Sequence, residues 1–176
     1  MATVRRRPIR TLTKRLLQEH HIDAPPVDVA KLAEQMGVVV HFEPADDELS
    51  GFLLRDIDRY KALIGVNKDH APTRQRFTIA HELGHLLLHE GEPLHVDRGM
   101  KVNLRDSAAS QGTIIEEKEA NLFAAELLMP AHFLRKELQE KLSLEMEGDI
   151  EWLAKKYDVS AQAMTFRLSY LKYLQL

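Results

Sequence analysis

The 176-residue sequence predicts an α+β domain that is mostly helical, with a small β-sheet beside its central helix. Helical patterns fill most of the chain, while three short apolar runs with β-branched residues lie close together between residues 38 and 66. One strongly apolar helical pattern follows them and contains His81-Glu82-Leu83-Gly84-His85. With 44% hydrophobic and 29% charged residues, the chain has the composition of an ordinary globular domain.

The predicted elements follow one another in a simple order. A short basic helix at residues 9–20 ends before Pro25-Pro26, and a second helix ends at Gly37, a natural C-terminal cap. Strands are predicted at residues 38–42, 49–54 and 60–66, the last two joined in a hairpin. The motif helix begins at Pro72 or Thr73 and ends at Gly91. A long loop at about residues 92–112, with a short strand at 100–104, precedes helices at residues 114–129, 131–142, 150–157 and 161–174.

Composition excludes several classes of site. The chain has no cysteine, so disulfides, thiolate metal sites and thiol catalysis are excluded, and any metal must be held by His, Asp and Glu. It has neither an apolar run of about 18 residues nor a secretory signal, so a cytoplasmic protein with no membrane contact is expected. With a net charge of −3, the electrostatics of the whole chain do not predict a nucleic-acid partner, and direct DNA binding is possible but not favoured.

The N-terminal segment is nevertheless basic. Six Lys and Arg residues precede Glu19, the first acidic residue of the chain. A solvated arm is the favoured interpretation, and contact with nucleic acid or with an acidic partner is the alternative.

The motif at residues 81–85 has the H-E-x-x-H spacing of a zinc site. Residues four apart lie on one face of a helix, so His81 and His85 can bind one zinc ion at roughly 2.0–2.1 Å each. Glu82 can then act as general base toward a water molecule. A helix whose histidines fall four apart by chance is the competing interpretation, but so apolar a helix rarely holds two His and a Glu without partners. Gly84 costs about 1 kcal/mol relative to Ala inside a helix, which suggests that another backbone packs against it.

A third ligand must come from elsewhere in the chain. His89 lies about 12 Å along the helix axis from His81, too far to share one ion. The metzincin pattern also fails, because Leu88 and Gly91 stand where its Gly and its last His should be. His95 lies in the predicted loop and is less favoured. A carboxylate from the next helix fits the His₂Glu set better, and the candidates are Glu116, Glu117 and Glu119.

Helical phase favours Glu117 among these candidates without excluding the others. Glu117 shares a stripe with the small residues Ala120 and Ala124, which would let this helix approach Gly84. Asn121, one turn further on, would support a ligand by hydrogen bonding. Glu119 instead lies in line with Glu126, a carboxylate that would be awkward to bury.

Two sequence blocks together resemble the ImmA/IrrE metallo-endopeptidases. They are RFTIAHELGHLLLH at residues 76–89 and EKEANLFAAELLMP at residues 117–130, and the helix and strand of residues 26–42 also fit. The resemblance covers most of residues 24–175. It implies a gluzincin-like zincin fold, zinc, His81 and His85 as ligands and Glu82 as base. The E-x-x-A-N pattern of the family implies that Glu117 is the third ligand, and Glu119 stands where other members can have Gln.

The whole chain, residues 1–176, is expected to form one metallopeptidase domain. It would comprise a basic N-terminal arm or helix (1–23), a zincin core (24–130) and C-terminal helices (131–176). Residues 153–168 look like a helix-turn-helix, with Ser160 as N-cap of its second helix. Packing helices are favoured there, and DNA binding is the alternative.

The expected function is that of a zinc endopeptidase acting on a protein. The resemblance implies that the substrate is a helix-turn-helix transcriptional repressor, whose cleavage derepresses genes of a mobile element or a stress response. Two alternatives stay open. One is a DNA-binding transcription regulator with a structural zinc site, and the other is a protein of toxin–antitoxin type that sequesters a repressor without cutting it.

Overall fold

A four-stranded sheet and seven helices make up the described part of the chain. The computed structural model describes residues 3–57, 60–91, 93–97, 109–140 and 147–174. The helices are α1 (Arg6–Glu19), α2 (Val29–Gln35), α3 (Pro72–Leu88), α4 (Ala109–Leu128), α5 (Ala131–Glu140), α6 (Glu147–Tyr157) and α7 (Ala161–Tyr170). This confirms the predicted α+β class, mostly helical with a small sheet. No described helix is both long and apolar enough to cross a membrane.

The sheet consists of β1 (Val38–Glu43), β2 (Gly51–Ile57), β3 (Tyr60–Asn67) and β4 (Leu94–Asp97), in the order β1-β3-β2-β4. β1 pairs with β3 in parallel, and β2 pairs with both β3 and β4 in antiparallel. The predicted hairpin is present, with Ile57 opposite Tyr60. The residues of β2 and β3 that alternate toward one face are buried, and α3 packs against these two strands.

The region after α3 differs from the sequence prediction. Helix α3 ends at Leu88, before Gly91, because His89 already has an extended backbone with φ −127°. Strand β4 and the first turns of α4 occupy residues that were predicted to be a loop. The predicted strand at residues 100–104 lies outside the described residues. β4 escaped prediction because it has only four residues and is held in place by backbone pairing with β2.

The N-terminal segment is not the solvated arm that was predicted. Helix α1 buries Ile9, Leu16 and Leu17 in the core and packs against α4. Two basic residues of the N-terminal segment, Arg5 and Arg10, form ion pairs with glutamates of α4. The basic character of the segment is therefore matched by acidic groups of this same chain.

The C-terminal helices have the predicted helix-turn-helix-like arrangement. The turn between α6 and α7 contains Asp158 with φ +53°, and the Ser160 hydroxyl accepts a hydrogen bond from the Ala163 amide at 3.1 Å. Ser160 is therefore the predicted N-cap of α7. Met164 and Leu168 of α7 are fully buried, so one face of this helix belongs to the core.

Candidate metal centre

Helix α3 places three polar side chains of the motif in the interior. Pro72 stands in the first turn of α3, where its fixed φ favours helix initiation and its missing N–H costs nothing. Two turns later, His81, Glu82 and His85 are 4%, 0% and 3% exposed. The i, i+4 spacing brings the Nε2 atoms of His81 and His85 to 3.0 Å from each other.

Helix α4 crosses α3 at Gly84 and so brings its carboxylates to the two histidines. A Cβ atom on Gly84 would lie 3.0 Å from the Cα atom of Ala120 and 3.2 Å from its carbonyl oxygen. Such contacts are tighter than most Cβ contacts, so a larger residue here would require α4 to shift by a few tenths of an ångström, and the close approach agrees with the expectation from the sequence. One turn before Ala120, Glu117 faces the motif.

The three side chains have the spacing of a metal site. Glu117 Oε2 lies 3.3 Å from His81 Nε2, and Glu117 Oε1 lies 3.2 Å from His85 Nε2. In a tetrahedral zinc site with bonds of about 2.0–2.1 Å, neighbouring ligand atoms are about 3.3 Å apart. The spacing of these three groups fits zinc, and so does their chemistry.

A second group of potential ligands exists among the described residues, formed by His81, Glu82 and Asp97. It would leave His85 aside, although His85 Nε2 points to the same place as His81 Nε2. It would also use Glu82 as a ligand and remove the base. The group of His81, His85 and Glu117 therefore explains more of the buried polar side chains.

Hydrogen bonds hold the ring of His81 in the orientation that a ligand needs. His81 Nδ1 lies 3.1 Å from Asn121 Oδ1, so an Nδ1–H can donate to this amide oxygen and leave the Nε2 lone pair for a metal. Asn121 is the supporting residue that helical phase predicted. Phe77 stacks on the other side of the ring, with centroids 6.3 Å apart.

The charge of the site favours an ionised Glu117. Burial raises the pKa of Glu117, but hydrogen bonds from His81, His85 and His95 outweigh burial and hold this pKa far below its usual value. Burial lowers the pKa of His81, and the hydrogen bond to Glu117 with the charge of Glu82 brings it above its usual value. A metal bound by these groups would displace protons, so its affinity would rise with pH.

The surroundings of Glu82 are those of a side chain that contacts a water molecule or a substrate. Its side chain is fully buried, and Oε1 has no hydrogen-bond partner in the described structure. Its other oxygen, Oε2, lies 3.2 Å from His95 Nδ1. A buried carboxylate oxygen without a partner is costly, which is expected where a water molecule or a substrate completes the site.

His95 lies beside the candidate ligands, one of the two positions, surface or next to a ligand, that the sequence left open for it. It lies in strand β4 rather than in a loop, and its two ring nitrogens contact Glu82 Oε2 and Glu117 Oε1 at 3.2 and 3.3 Å. Hydrogen bonds with Glu117 and Glu82 raise the pKa of His95 to about 10. A cationic His95 thus connects the carboxylates of Glu82 and Glu117. The alternating strand pattern of residues 94–97 is the only local signal that could have placed it.

Glu119 and Glu126 both lie in the interior, so the prediction from helical phase that burial would be unfavourable along this stripe was wrong. Both are buried, at 2% and 4% exposed, and both are paired with arginines. Arg5 binds Glu119, while Arg167 binds Glu126 through two hydrogen bonds of 2.6 and 3.0 Å. Phase alone could not show this, because the partners lie far away in the sequence.

His89 is also buried, although it lies one turn beyond His85. Its side chain is 5% exposed, with Nδ1 3.3 Å from His85 Nδ1 and Nε2 3.2 Å from Glu119 Oε2. Its ring is therefore not a surface group. As predicted, His89 does not lie with the candidate ligand atoms. It contacts Nδ1 of His85, whereas Nε2 of His85 faces His81.

An apolar cavity of about 630 Å³ lies next to the site. It extends between α3, α4 and α7 and shares Phe77 and Asn121 with the surroundings of His81. Phe166 and Tyr170 of α7 line it and are exposed. Its size is within the range of cavities that bind ligands, about 300–1,000 Å³.

A solved structure and a family model are similar to this chain. The chain is similar to the structure of a Mycobacterium tuberculosis transcriptional regulator, with a TM-score of 0.63 and 17% sequence identity. The match covers 93% of this chain and 46% of the regulator, so the chain spans about half the length of that protein. At this identity the likeness shows a common fold. No curated protein matches the chain.

The family model Peptidase_M78, described as the IrrE N-terminal-like domain, matches residues 33–169. This range includes both motif blocks, all four strands and helices α3–α6. It begins after α1 and after Arg5, the residue that precedes this helix. The chain therefore belongs to the IrrE N-terminal-like family of metallopeptidase-type domains, and the resemblance predicted from the two motif blocks is confirmed.

Proposed function

We propose that this protein is a zinc-dependent endopeptidase whose ligands are His81, His85 and Glu117 and whose general base is Glu82. The observation that carries this proposal is the position of Glu82. Its Oε1 is buried and has no hydrogen-bond partner among the described residues, and Glu82 lies on the same helix as His81 and His85. A purely structural metal site would need no such carboxylate.

Zinc suits the donor set better than other common metals do. Two imidazoles and one carboxylate form an established catalytic set for zinc, and three protein ligands leave a position open. When bound, zinc would polarise the carbonyl of the scissile peptide and lower the pKa of water from 15.7 to about 7.

The residues of the chain supply the proton transfers. Glu82 is placed to take a proton from the attacking water and to give it to the leaving amine. His95 donates to Glu82 Oε2 and thereby keeps Oε1 as the free oxygen. Asn121 holds the ring of His81 in place. Phe77 and the apolar wall of the cavity would keep bulk water from this side of the site.

A protein substrate is consistent with the surroundings of the site. The apolar cavity beside His81 would take large apolar side chains of a polypeptide. We infer from the family resemblance that the substrate is a helix-turn-helix repressor in the cytoplasm, and that its cleavage switches on mobile-element or stress genes. The solved neighbour bears the name of a transcriptional regulator, which fits such a setting.

DNA binding through α7 is a weaker candidate. All residues of α7 are described, and its single cationic residue, Arg167, is buried and paired with Glu126. The exposed residues of this helix are Ala161, Gln162, Phe166 and Tyr170. A helix that binds DNA presents cationic and polar groups to phosphates and bases. Helix α7 exposes no cationic residue, so it favours the peptidase function over DNA binding.

The test is co-expression with a helix-turn-helix repressor encoded beside the gene. The wild-type protein is expected to cut the repressor, and Glu82→Gln is expected to bind zinc but leave the repressor intact. Glu90→Gln serves as control, because Glu90 is an exposed glutamate just beyond the same helix. Cleavage by Glu82→Gln at the wild-type rate would refute the mechanism. Stable co-purification of an uncut repressor with the wild-type protein would instead support sequestration.

A further inference from the structure

A line of hydrogen bonds connects the N-terminal segment to the ring of His85. Arg5 contacts both carboxylate oxygens of Glu119, with its backbone amide and Nε at 2.7 and 3.0 Å from Oε1. Glu119 Oε2 contacts His89 Nε2, and His89 Nδ1 contacts His85 Nδ1. The opposite nitrogen of His85, Nε2, is the one that faces His81 and Glu117.

When His85 binds a metal through Nε2, only one arrangement of protons allows every hydrogen bond of this line to form. His85 then carries its proton on Nδ1 and donates it to His89 Nδ1. His89 must therefore carry its own proton on Nε2, which it donates to the carboxylate of Glu119.

Arg5 is the group that holds Glu119 in place. Glu119 is buried, and the backbone amide and guanidinium of Arg5 donate hydrogen bonds to both of its carboxylate oxygens. Arg5 Nη2 also donates to the carbonyl oxygen of Leu88 at 3.0 Å, one of the last carbonyls of α3. The same guanidinium thus ties α4 to the end of the helix that carries both histidines.

We propose that Arg5, Glu119 and His89 are positioning residues that fix the orientation of the His85 ring for metal binding. Arg5 lies outside the range of the family match, which begins at residue 33. The residue that caps the start of α1 would then support the metal site of this chain. The proposal rests on the proposed function insofar as His85 is taken to be a zinc ligand.

The test is the zinc affinity of the purified full chain, measured by competition with a chelator at fixed pH. His89→Phe and Glu119→Gln are expected to weaken zinc binding about 10- to 100-fold, as is typical for partners of ligating histidines. Arg5→Ala is expected to show a smaller loss in the same direction. Arg7→Ala is the matched control, because Arg7 is an exposed arginine only two residues further along the chain.

Two further measurements separate positioning from general damage. His89→Gln should recover part of the affinity, because its amide can both accept from His85 and donate to Glu119. In the zinc-loaded protein, the proton on His85 Nδ1 should exchange slowly in the wild type and quickly in His89→Phe. Circular dichroism of each metal-free variant shows whether it is folded.

The outcomes distinguish this proposal from the proposed function. If the wild-type protein binds zinc and His89→Phe binds it equally well, the positioning line is refuted while the zinc site stands. Equal loss in His89→Phe and His89→Gln, with no change in proton exchange, would also refute it. A wild-type protein that binds no zinc would overturn both proposals.

Discussion

Gly84 sets the distance between the two helices that carry the proposed metal ligands. Alanine at this position would add up to about 1 kcal/mol of helix propensity. Its Cβ, however, would meet the backbone of Ala120 at 3.0–3.2 Å, and a backbone cannot rotate away as a flexible side chain can. We therefore expect Gly84→Ala to move α4 away from α3, to weaken zinc binding and to bring no gain in stability.

Gly148 offers a matched control for this substitution. It lies in α6, and a Cβ placed on it meets no atom within 4 Å. Gly148→Ala should raise the midpoint of thermal unfolding slightly and leave zinc affinity unchanged. If Gly84→Ala stabilised the protein as much as Gly148→Ala and bound zinc like the wild type, close packing at Gly84 would not be what positions Glu117.

Local sequence was enough to find some residues of the site but not others. The spacing of His81 and His85 and the small residues near Glu117 depend on one helix at a time, so periodicity could predict them. The burial of Glu119 and Glu126 depends on pairing with Arg5 and Arg167, which lie 114 and 41 residues away. No pattern within one helix carries that information.

At the scale of elements, α4 and α7 are joined by a buried ion pair. Arg167 and Glu126 are 3% and 4% exposed, and Arg167 also donates to the carbonyl oxygen of Met129. Removing one partner of a buried pair typically costs about 3–5 kcal/mol, because it leaves the other charge uncompensated. We expect Glu126→Gln to lower the free energy of unfolding by about this amount at pH 7, as measured with urea.

The same pair predicts how stability depends on pH. Burial raises the pKa of Glu126, but hydrogen bonds and charge from Arg167 and Arg10 outweigh burial and lower this pKa in the folded protein. The stabilisation is therefore complete above the unfolded value of about 4.3 and is lost as the pH falls through the lower, folded pKa. The difference between wild type and Glu126→Gln should shrink below about pH 4.

Arg10→Ala is the control for this pair. Arg10 also contacts Glu126, but its side chain is 46% exposed, and exposed ion pairs contribute only about 0–1 kcal/mol. A loss on Arg10→Ala as large as that on Glu126→Gln would contradict the assignment of the stabilising pair to Arg167. So would a difference between wild type and Glu126→Gln that did not change with pH.

The accuracy with which the sequence predicts an element also differed from one element to another. The helices and the three longer strands have lengths and patterns that single sequences show well. Strand β4 has four residues with an exposure pattern too short to be distinctive, and it exists because β2 offers it a free edge. The functional consequence is larger than its length suggests, since β4 carries His95 to Glu82.

At the scale of the whole molecule, the charges of the N-terminal segment are used within the chain. Arg5 and Arg10 approach the buried glutamates of α4, so two of the six basic residues at the start of the sequence complement an acidic helix of the same chain. The small net charge of −3 is consistent with this internal matching. The helix before the family-matched range is thereby packed against the helix that supplies Glu117.

The central claim is that two helices together provide one zinc site, with Glu117 as its third ligand. The measurement that tests it most directly is a calorimetric titration of the metal-free chain with zinc. Wild type and Glu116→Gln, which changes an exposed neighbour on the same helix, should each bind one zinc ion with the same affinity. Glu117→Gln should bind zinc far more weakly, and binding by Glu117→Gln with wild-type affinity would contradict the claim.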